Sequence, residues 1–200
     1  MTRIIAGRAR GARLDVPRSG TRPTSDRVRE SLFGSLESAD ALAGARVLDL
    51  YSGSGALGLE ALSRGAASVD LVERARTAVP LVRRNAATVS KAGELSPARV
   101  HESTVRAFLQ RTAGTYDLVF SDPPYDLDDE ALTADLVALR PLLAPGAVVV
   151  VERARRSAAP DFAAAGLTPT REKTFGDTTL WWARNDAADE AQPATESQSR

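Results

Sequence analysis

The stretch RVLDLYSGSGALGLEALSRG, residues 46–65, joins an apolar run, a glycine-rich turn and a segment of helical period. Gly53, Gly55 and Gly58 satisfy the pattern G-x-G-x-x-G between the predicted strand and helix. Such a turn lets backbone N–H groups approach a ligand at the helix N-terminus. The pattern alone leaves the ligand open, because nicotinamide-binding proteins share it and ligand-free turns use glycine for the same steric reason.

The sequence around this stretch repeats the same alternation of strand and helix. Apolar runs of strand length alternate with segments of helical period: RVLDLY, SVDLVE, ARVHES, YDLVFSD and AVVVVE are the strand-like runs. This order is typical of an α/β fold with a doubly wound, mostly parallel sheet. Residues 167–184, LTPTREKTFGDTTLWWAR, predict an antiparallel edge hairpin around Gly176-Asp177.

The two ends of the chain differ from this middle part in charge. Residues 1–24 predict a basic arm with a short β-hairpin, and residues 1–30 carry eight arginines against three acids. Thr24 or Ser25 is suited to cap a helix that opens a domain over residues 25–184. Residues 185–200 lack aromatic and large aliphatic side chains, so an acidic, disordered tail is expected there.

The composition excludes several classes of chemistry. There is no cysteine and one histidine, His101, so thiolate and histidine-rich metal sites are excluded and we expect no metal. No apolar run approaches 18 residues, and the N-terminus is too basic for a secretory signal. We therefore expect a cytoplasmic protein without membrane contact, and a monomer.

Two acids narrow the choice of ligand at the glycine turn. Glu73 closes the second strand, where a carboxylate can accept hydrogen bonds from a ribose diol. Asp49 lies inside the first strand, and a buried acid there needs a donor or a cation. The sulfonium and ammonium groups of S-adenosylmethionine suit such an acid better than the pyrophosphate of NAD does. The alternatives are an exposed strand-end acid for Glu73 and a loop-capping carboxylate for Asp49.

The stretch SDPPYD follows the fourth strand of the series, at a carboxyl end where doubly wound sheets bind ligands. Pro123 and Pro124 lack N–H donors, so Asp122 and the backbone carbonyls form a corner of acceptors. That corner suits the two N–H donors of an exocyclic amine, and Tyr125 offers a face on which a base can stack. Holding the amine against an electrophilic methyl needs mainly positioning. The alternative is a rigid turn without chemistry.

The sequence resembles the RsmD family, bacterial methyltransferases that modify N2 of a guanine in 16S ribosomal RNA. The resemblance rests on four stretches: DLYSGSGALGLEALSRGA, SDPPYD, RIIAGRARGARL and RPTSDRVRESLF. The resemblance implies a seven-stranded Rossmann-like sheet and a catalytic corner of Asp122, Pro123, Pro124 and Tyr125. It implies S-adenosylmethionine as cofactor at Asp49, Gly53, Gly55 and Glu73. Where the family often carries Asp or Asn after the third strand to meet the adenine amine, this chain reads HESTVRAFL, which leaves Glu102, Ser103 or Thr104 as candidates. We also predict Tyr51, Ser103 and Thr104 as cofactor-binding residues. The resemblance also implies 16S rRNA or the assembling small subunit as partner, contacted by Arg8, Arg10, Arg13, Arg22 and Arg27.

Three other functions share part of these features. A DNA adenine-N6 or cytosine-N4 methyltransferase would share the Asp122 corner, although about 200 residues leave no room for a separate DNA-recognition domain. An NAD-dependent oxidoreductase would share the glycine turn, and a non-catalytic RNA-binding module would share the arginines.

Overall fold

The structure is a computed structural model that describes residues 2–17 and 26–186. In these ranges the strands are β1 (Thr2–Arg3), β2 (Arg13–Leu14), β3 (Arg46–Leu50), β4 (Ser68–Glu73), β5 (Arg99–Glu102), β6 (Tyr116–Ser121), β7 (Leu143–Ala154), β8 (Thr168–Phe175) and β9 (Thr178–Arg184). The helices are α1 (Asp26–Ser38), α2 (Ala56–Ser63), α3 (Val79–Gly93), α4 (Val105–Leu109) and α5 (Asp129–Leu139), which runs into a 3-10 turn (Arg140–Leu142). None of these helices is long and apolar enough to cross a bilayer.

The main sheet has seven strands in the order β5-β4-β3-β6-β7-β9-β8. Strands β5, β4, β3, β6 and β7 are parallel, and β9 and β8 complete the sheet as an antiparallel edge. The chain moves outward on one side of β3 and then returns to its other side with β6. The predicted fold is confirmed, and the carboxyl ends of β3 and β6 form the switch point where such sheets bind ligands.

Two apolar layers explain why the inner strands read as continuous apolar runs. On one face, residues such as Phe120 pack against α1, α2 and α3, and the rings of Phe33 and Phe120 lie 5.7 Å apart. On the other face, residues such as Leu48 and Val149 pack against α4 and α5. Both faces of β3 and β6 are therefore shielded from water, as expected for parallel strands between helices.

The N-terminal hairpin, β1 paired with β2, packs into the same core. Ile4 and Leu14 are completely buried in the layer under α1, α2 and α3. The fully buried Glu60 of α2 accepts hydrogen bonds from the backbone N–H groups of Ile5 (2.7 Å) and Ala6 (3.0 Å). The predicted hairpin is confirmed, and the basic arm is seated on the domain through buried contacts.

Some predictions about the chain ends lie outside the described residues. These are the capping role of Thr24 or Ser25 and the disorder of residues 187–200. Asn185 is described and buried, and its side-chain amide donates to the carbonyls of Leu143 (3.0 Å) and Ala144 (2.9 Å). Packing therefore continues through Asn185, one residue beyond the predicted boundary at 184.

Candidate active site

A cleft of about 260 Å³ opens at the carboxyl ends of β3, β4, β6 and β7. It brings together eight of the predicted site residues: Tyr51, Gly53, Glu73, Ser103, Asp122, Pro123, Pro124 and Tyr125. Its other lining residues are Pro17, Val72, Arg74, Ala75, Thr77, Ala78, Val105 and Glu152. Residues that are far apart in sequence meet here because parallel strands end at the same edge of the sheet.

The glycine turn depends on backbone conformations that only glycine adopts easily. Gly53 and Gly55 have φ angles of 55° and 78°, in the left-handed region. At Gly58, an added Cβ would lie 2.5 Å from the Leu71 side chain, so glycine lets α2 pack closely on β4. Gly53 reaches the cleft, whereas Gly55 and Gly58 shape the turn behind it.

Glu73 connects the end of β4 with the glycine turn. Its carboxylate accepts hydrogen bonds from the backbone N–H groups of Gly53 (3.0 Å) and Ala75 (2.7 Å). Each carboxylate oxygen has two lone pairs, so Glu73 keeps the capacity to accept bonds from a diol in the cleft. The same contacts fix its position before any ligand arrives.

Asp49 lies beneath the turn and is only 2% exposed. Its Oδ2 accepts a hydrogen bond from the Gly58 N–H at 2.9 Å. Burial raises the pKa of Asp49 from 3.8 to about 7; the Gly58 hydrogen bond opposes that rise and the Glu73 carboxylate adds to it. The contact with Gly58 is the loop-capping role, and Asp49 is absent from the cleft lining, so its contact with a cofactor stays a prediction.

Asp122 and the two prolines form a braced corner at the end of β6. The Leu127 N–H donates to the Pro124 carbonyl at 3.0 Å, and Arg153 donates to the Leu127 carbonyl at 3.1 Å. The turn thus uses the Pro124 carbonyl and leaves the Pro123 carbonyl out of this bracing. Tyr125 is 69% exposed at the rim, which suits a stacking surface.

The corner is electrostatically crowded. Burial raises the pKa of Asp122 well above 3.8, and the carboxylates of Glu152 and Asp49 raise it further. A carboxylate held in this way favours a ligand that brings hydrogen-bond donors or positive charge. Perturbed acids of this kind cluster at functional sites.

The structure separates the three candidates after the third strand. Ser103 lines the cleft, and its N–H donates to the Glu73 carbonyl at 3.1 Å. Thr104 instead caps α4 by accepting a hydrogen bond from the Ala107 N–H at 3.2 Å. Glu102 is paired with Arg76 at 3.4 Å, away from the cleft lining. Of the three, only Ser103 is positioned to contact a ligand in this cleft.

Tyr51 follows β3 and has a φ of 60°, which is unusual for a residue other than glycine. Its hydroxyl donates to Asp135 on α5 at 2.5 Å, and burial together with that acid raises the pKa of Tyr51. The ring is thereby fixed as part of the cleft wall.

Sequence reasoning missed Glu152, Arg74 and Pro17 as lining residues. Glu152 had a usable signal, since the run AVVVVE ends on an acid as SVDLVE does. Pro17 could not have been placed, because its position depends on how the arm docks on the domain.

The predicted RNA-binding arginines are exposed where the structure describes them. Arg8, Arg10, Arg13 and Arg27 lie at the surface, and Arg22 lies outside the described residues. Arg8 also donates to the Glu94 carbonyl at 3.0 Å, which ties it to the end of α3. Their contact with RNA stays a prediction.

The chain is similar to known proteins along nearly its whole length. The family profile described as "Conserved hypothetical protein 95" matches residues 2–184. Ribosomal RNA small subunit methyltransferase D of Escherichia coli K12 is 44% identical over 151 residues, 75% of this chain and 73% of that protein. The protein of the same name from Haemophilus influenzae is 35% identical over 177 residues, 87% of this chain and 89% of its own length.

Among solved structures, a hypothetical protein of Thermus thermophilus superposes with a TM-score of 0.76 and 32% identity. The match covers 91% of this chain and 98% of that one. The likeness therefore extends over the arm, the sheet and the cleft, and the chain belongs to the RsmD family of small-subunit ribosomal RNA methyltransferases.

Proposed function

We propose that this protein transfers a methyl group from S-adenosylmethionine to N2 of a specific guanine in 16S rRNA. The observation that carries the proposal is the meeting of the Asp122 corner and Glu73 in one cleft. One side of the cleft offers acceptors for an amine, and the other offers a carboxylate for a ribose diol. Family membership supports rRNA as the substrate.

The residues present fit the cofactor. Among the lining residues, three are carboxylates, Glu73, Asp122 and Glu152, and Arg74 is the one cation. A net acidic cleft attracts sulfonium and ammonium groups and repels a pyrophosphate. Glu73 would hold the ribose, Gly53 would present its backbone to the cofactor, and Ser103 and Val105 would border the adenine. When bound, S-adenosylmethionine supplies an electrophilic methyl group.

The corner residues explain how an amine could react. Asp122 and the Pro123 carbonyl would accept the two amine hydrogens, which turns the nitrogen lone pair toward the methyl group. The methyl donor would supply the carbon for a new N–C bond as its S–C bond breaks, and Asp122 would accept the proton that the amine loses. Tyr125 would stack on the base, since chemistry on a base generally needs it out of its stack.

The proposal is tested with tritiated S-adenosylmethionine and unmethylated small ribosomal subunits. We expect label in 16S rRNA. Primer extension should map it to one guanine, and digestion to nucleosides should release the label as N2-methylguanosine. Heat-denatured protein is the control. Absence of label would overturn the proposal, and label in duplex DNA in preference to RNA would establish the DNA methyltransferase instead.

The cofactor is tested separately by thermal shift. S-adenosylhomocysteine should raise the unfolding temperature in a concentration-dependent manner, because it binds the folded state alone. NAD at the same concentrations should leave it unchanged. Stabilisation by NAD alone would contradict a methyltransferase.

We also propose that the protein works as a monomer in the cytoplasm, on free 16S rRNA or on the assembling small subunit. In the described residues, the exposed large apolar side chains are Tyr125 and Val137, and this small number supports the monomer. Light scattering after size-exclusion chromatography should give a mass near 21.2 kDa. A mass of twice that value would contradict the monomer.

A further inference from the structure

A second acid lies next to Asp122 at the edge of the sheet. In the pairing of β6 with β7, Ser121 is in register with Val151, so Asp122 and Glu152 are the next residues of the two parallel strands. Both line the main cleft, and both line a small adjoining cavity of about 20 Å³. Tyr125, Ser157 and Thr178 also border that cavity. The site therefore continues past the catalytic corner.

This second acid has no part in the transfer chemistry described above. One carboxylate and one carbonyl account for both hydrogens of the amine. The Glu152 carboxylate nevertheless raises the pKa of Asp122, so Asp122 is harder to ionise when Glu152 is present. Because Glu152 lines both cavities beside the amine corner, a base held in that corner can reach it.

The order of groups along the Watson–Crick edge of guanine suggests that role. Guanine presents the amine at N2, then an N1–H donor, then the O6 acceptor. Adenine and cytosine place a ring nitrogen acceptor directly beside their exocyclic amines. A carboxylate next to the amine corner would accept the N1–H of guanine and would repel the acceptor nitrogen of the other two bases.

Two hydroxyl side chains that line the small cavity extend this match. Ser157 and Thr178 carry hydroxyl groups, which can donate to O6. The site then reads acceptor at Asp122, acceptor at Glu152 and donor at the hydroxyls, complementary to the donor, donor and acceptor order of guanine.

We propose that Glu152 is a specificity-determining residue that selects guanine by accepting its N1–H. This inference deepens the proposed function and rests on it. Polar sites reject substrates that lack the expected hydrogen bond far more strongly than apolar pockets reject a changed shape. The preference for guanine should therefore depend on the carboxylate of Glu152.

The test replaces the target guanine by 2,6-diaminopurine, which keeps the 2-amine but has an acceptor at N1. The ratio of kcat/KM for guanine to that for diaminopurine is measured with both RNAs. For the wild-type protein we expect a ratio of about tenfold or more. In the Glu152→Gln variant, the amide N–H can donate to the N1 acceptor of diaminopurine. The ratio should therefore be about tenfold or more lower than in the wild type, because diaminopurine becomes the better substrate relative to guanine. A purely structural residue would not shift the ratio in this direction.

The control is Glu172→Gln, which removes an exposed acid from β8 and should keep the wild-type ratio. If Glu152→Gln methylates neither base, the two RNAs are compared by competition binding with S-adenosylhomocysteine present. Equal wild-type affinities in that comparison would overturn the inference.

The outcomes also separate this inference from the proposed function. Wild-type protein that fails to label the guanine RNA overturns the proposed function, and this inference with it. Wild-type protein that labels guanine, together with a Glu152→Gln variant whose ratio is unchanged, overturns the assignment of Glu152 alone.

Discussion

Two groups of acids lie in the same sheet and have opposite surroundings. Asp70 on β4 is bonded to Arg99 (2.5 Å), His101 (2.6 Å) and the Tyr116 hydroxyl (3.2 Å). The acids at the carboxyl edge, Asp49 and Asp122, are surrounded by other acids. Burial would raise the pKa of Asp70, but the hydrogen bonds from Arg99 and His101 lower it below its usual range.

The difference shows which acids find their hydrogen-bond donors and counter-charges within the folded protein. Asp70 has its cation and donors in the folded chain, so it stabilises the fold. Burial raises the pKa values of Asp49 and Asp122, and neighbouring carboxylates raise them further. A bound ligand with donors or positive charge would offset both effects.

The largest effect is expected from Asp122→Asn. The amide can no longer accept the transferred proton and brings its own donors toward the amine, so kcat should fall by about 10²- to 10⁴-fold. Binding of S-adenosylhomocysteine, measured by calorimetry, should stay within about twofold. Asp126→Asn, an exposed acid of the same loop, is the matched control and should retain wild-type activity. Normal turnover in the Asp122 variant would contradict its catalytic role.

The pH dependence of kcat/KM is the second expected effect. Asp122 must be ionised to accept the amine hydrogens, and its pKa is raised well above 3.8 in the folded protein. Activity should therefore fall on acidification at a pH well above that of an ordinary aspartate, by tenfold per pH unit below the pKa. A profile that stays flat down to pH 4.5, in the range where the protein remains folded, would show that this acid is not needed in ionised form.

Asp70→Asn should destabilise the protein by about 1–3 kcal/mol near pH 7, because Arg99 and Tyr116 lose a buried acceptor. A lowered folded-state pKa means that the contribution is present above 3.8 and is lost as the pH falls toward the folded value. Urea unfolding at pH 7 and pH 3 should therefore show a smaller difference at the lower pH. Asp117→Asn, which breaks a surface pair with Arg46, should cost at most about 1 kcal/mol.

Asp49→Asn should have the opposite effect on the free protein. The folded-state pKa is raised from 3.8 to about 7, so ionised Asp49 lowers stability progressively as the pH rises between these values. An asparagine oxygen can still accept the Gly58 N–H, so the variant should be about 1–3 kcal/mol more stable than wild type at pH 8 and equal to it at pH 4. S-adenosylhomocysteine should bind the variant more weakly. Loss of stability at pH 8 would show that the Asp49 carboxylate is satisfied inside the free protein.

The smallest effect concerns the arginines of the arm. Arg10→Ala and Arg13→Ala should each weaken RNA binding and reduce the slope of log affinity against log salt by about one. Arg46→Ala, which removes an exposed arginine of β3 that is paired with Asp117, is the control. A slope that does not change in the Arg10 and Arg13 variants would contradict a phosphate contact at those positions.

The sequence predicted the parts of this molecule that depend on local pattern. The alternation of strand and helix periods predicted the sheet. Residues at strand ends, such as Glu73 and Asp122, predicted the position of the cleft. The parts that depend on docking could not be predicted in the same way. Whether Asp49 turns toward the ligand or toward Gly58 depends on how α2 packs. Pro17 reaches the cleft because the arm docks on both α2 and α3.

The packing of the N-terminal arm on α2 has a practical consequence for truncation experiments. At Gly7, an added Cβ would lie 2.0 Å from the Ser63 carbonyl oxygen, so this contact excludes any side chain. Removing the arm would strip two backbone donors from the fully buried Glu60 and expose the apolar layer beneath Ile4 and Leu14. A truncated protein without the arm would therefore report on misfolding rather than on RNA recognition. Point substitutions of single exposed arginines are the appropriate way to study how this family meets its substrate.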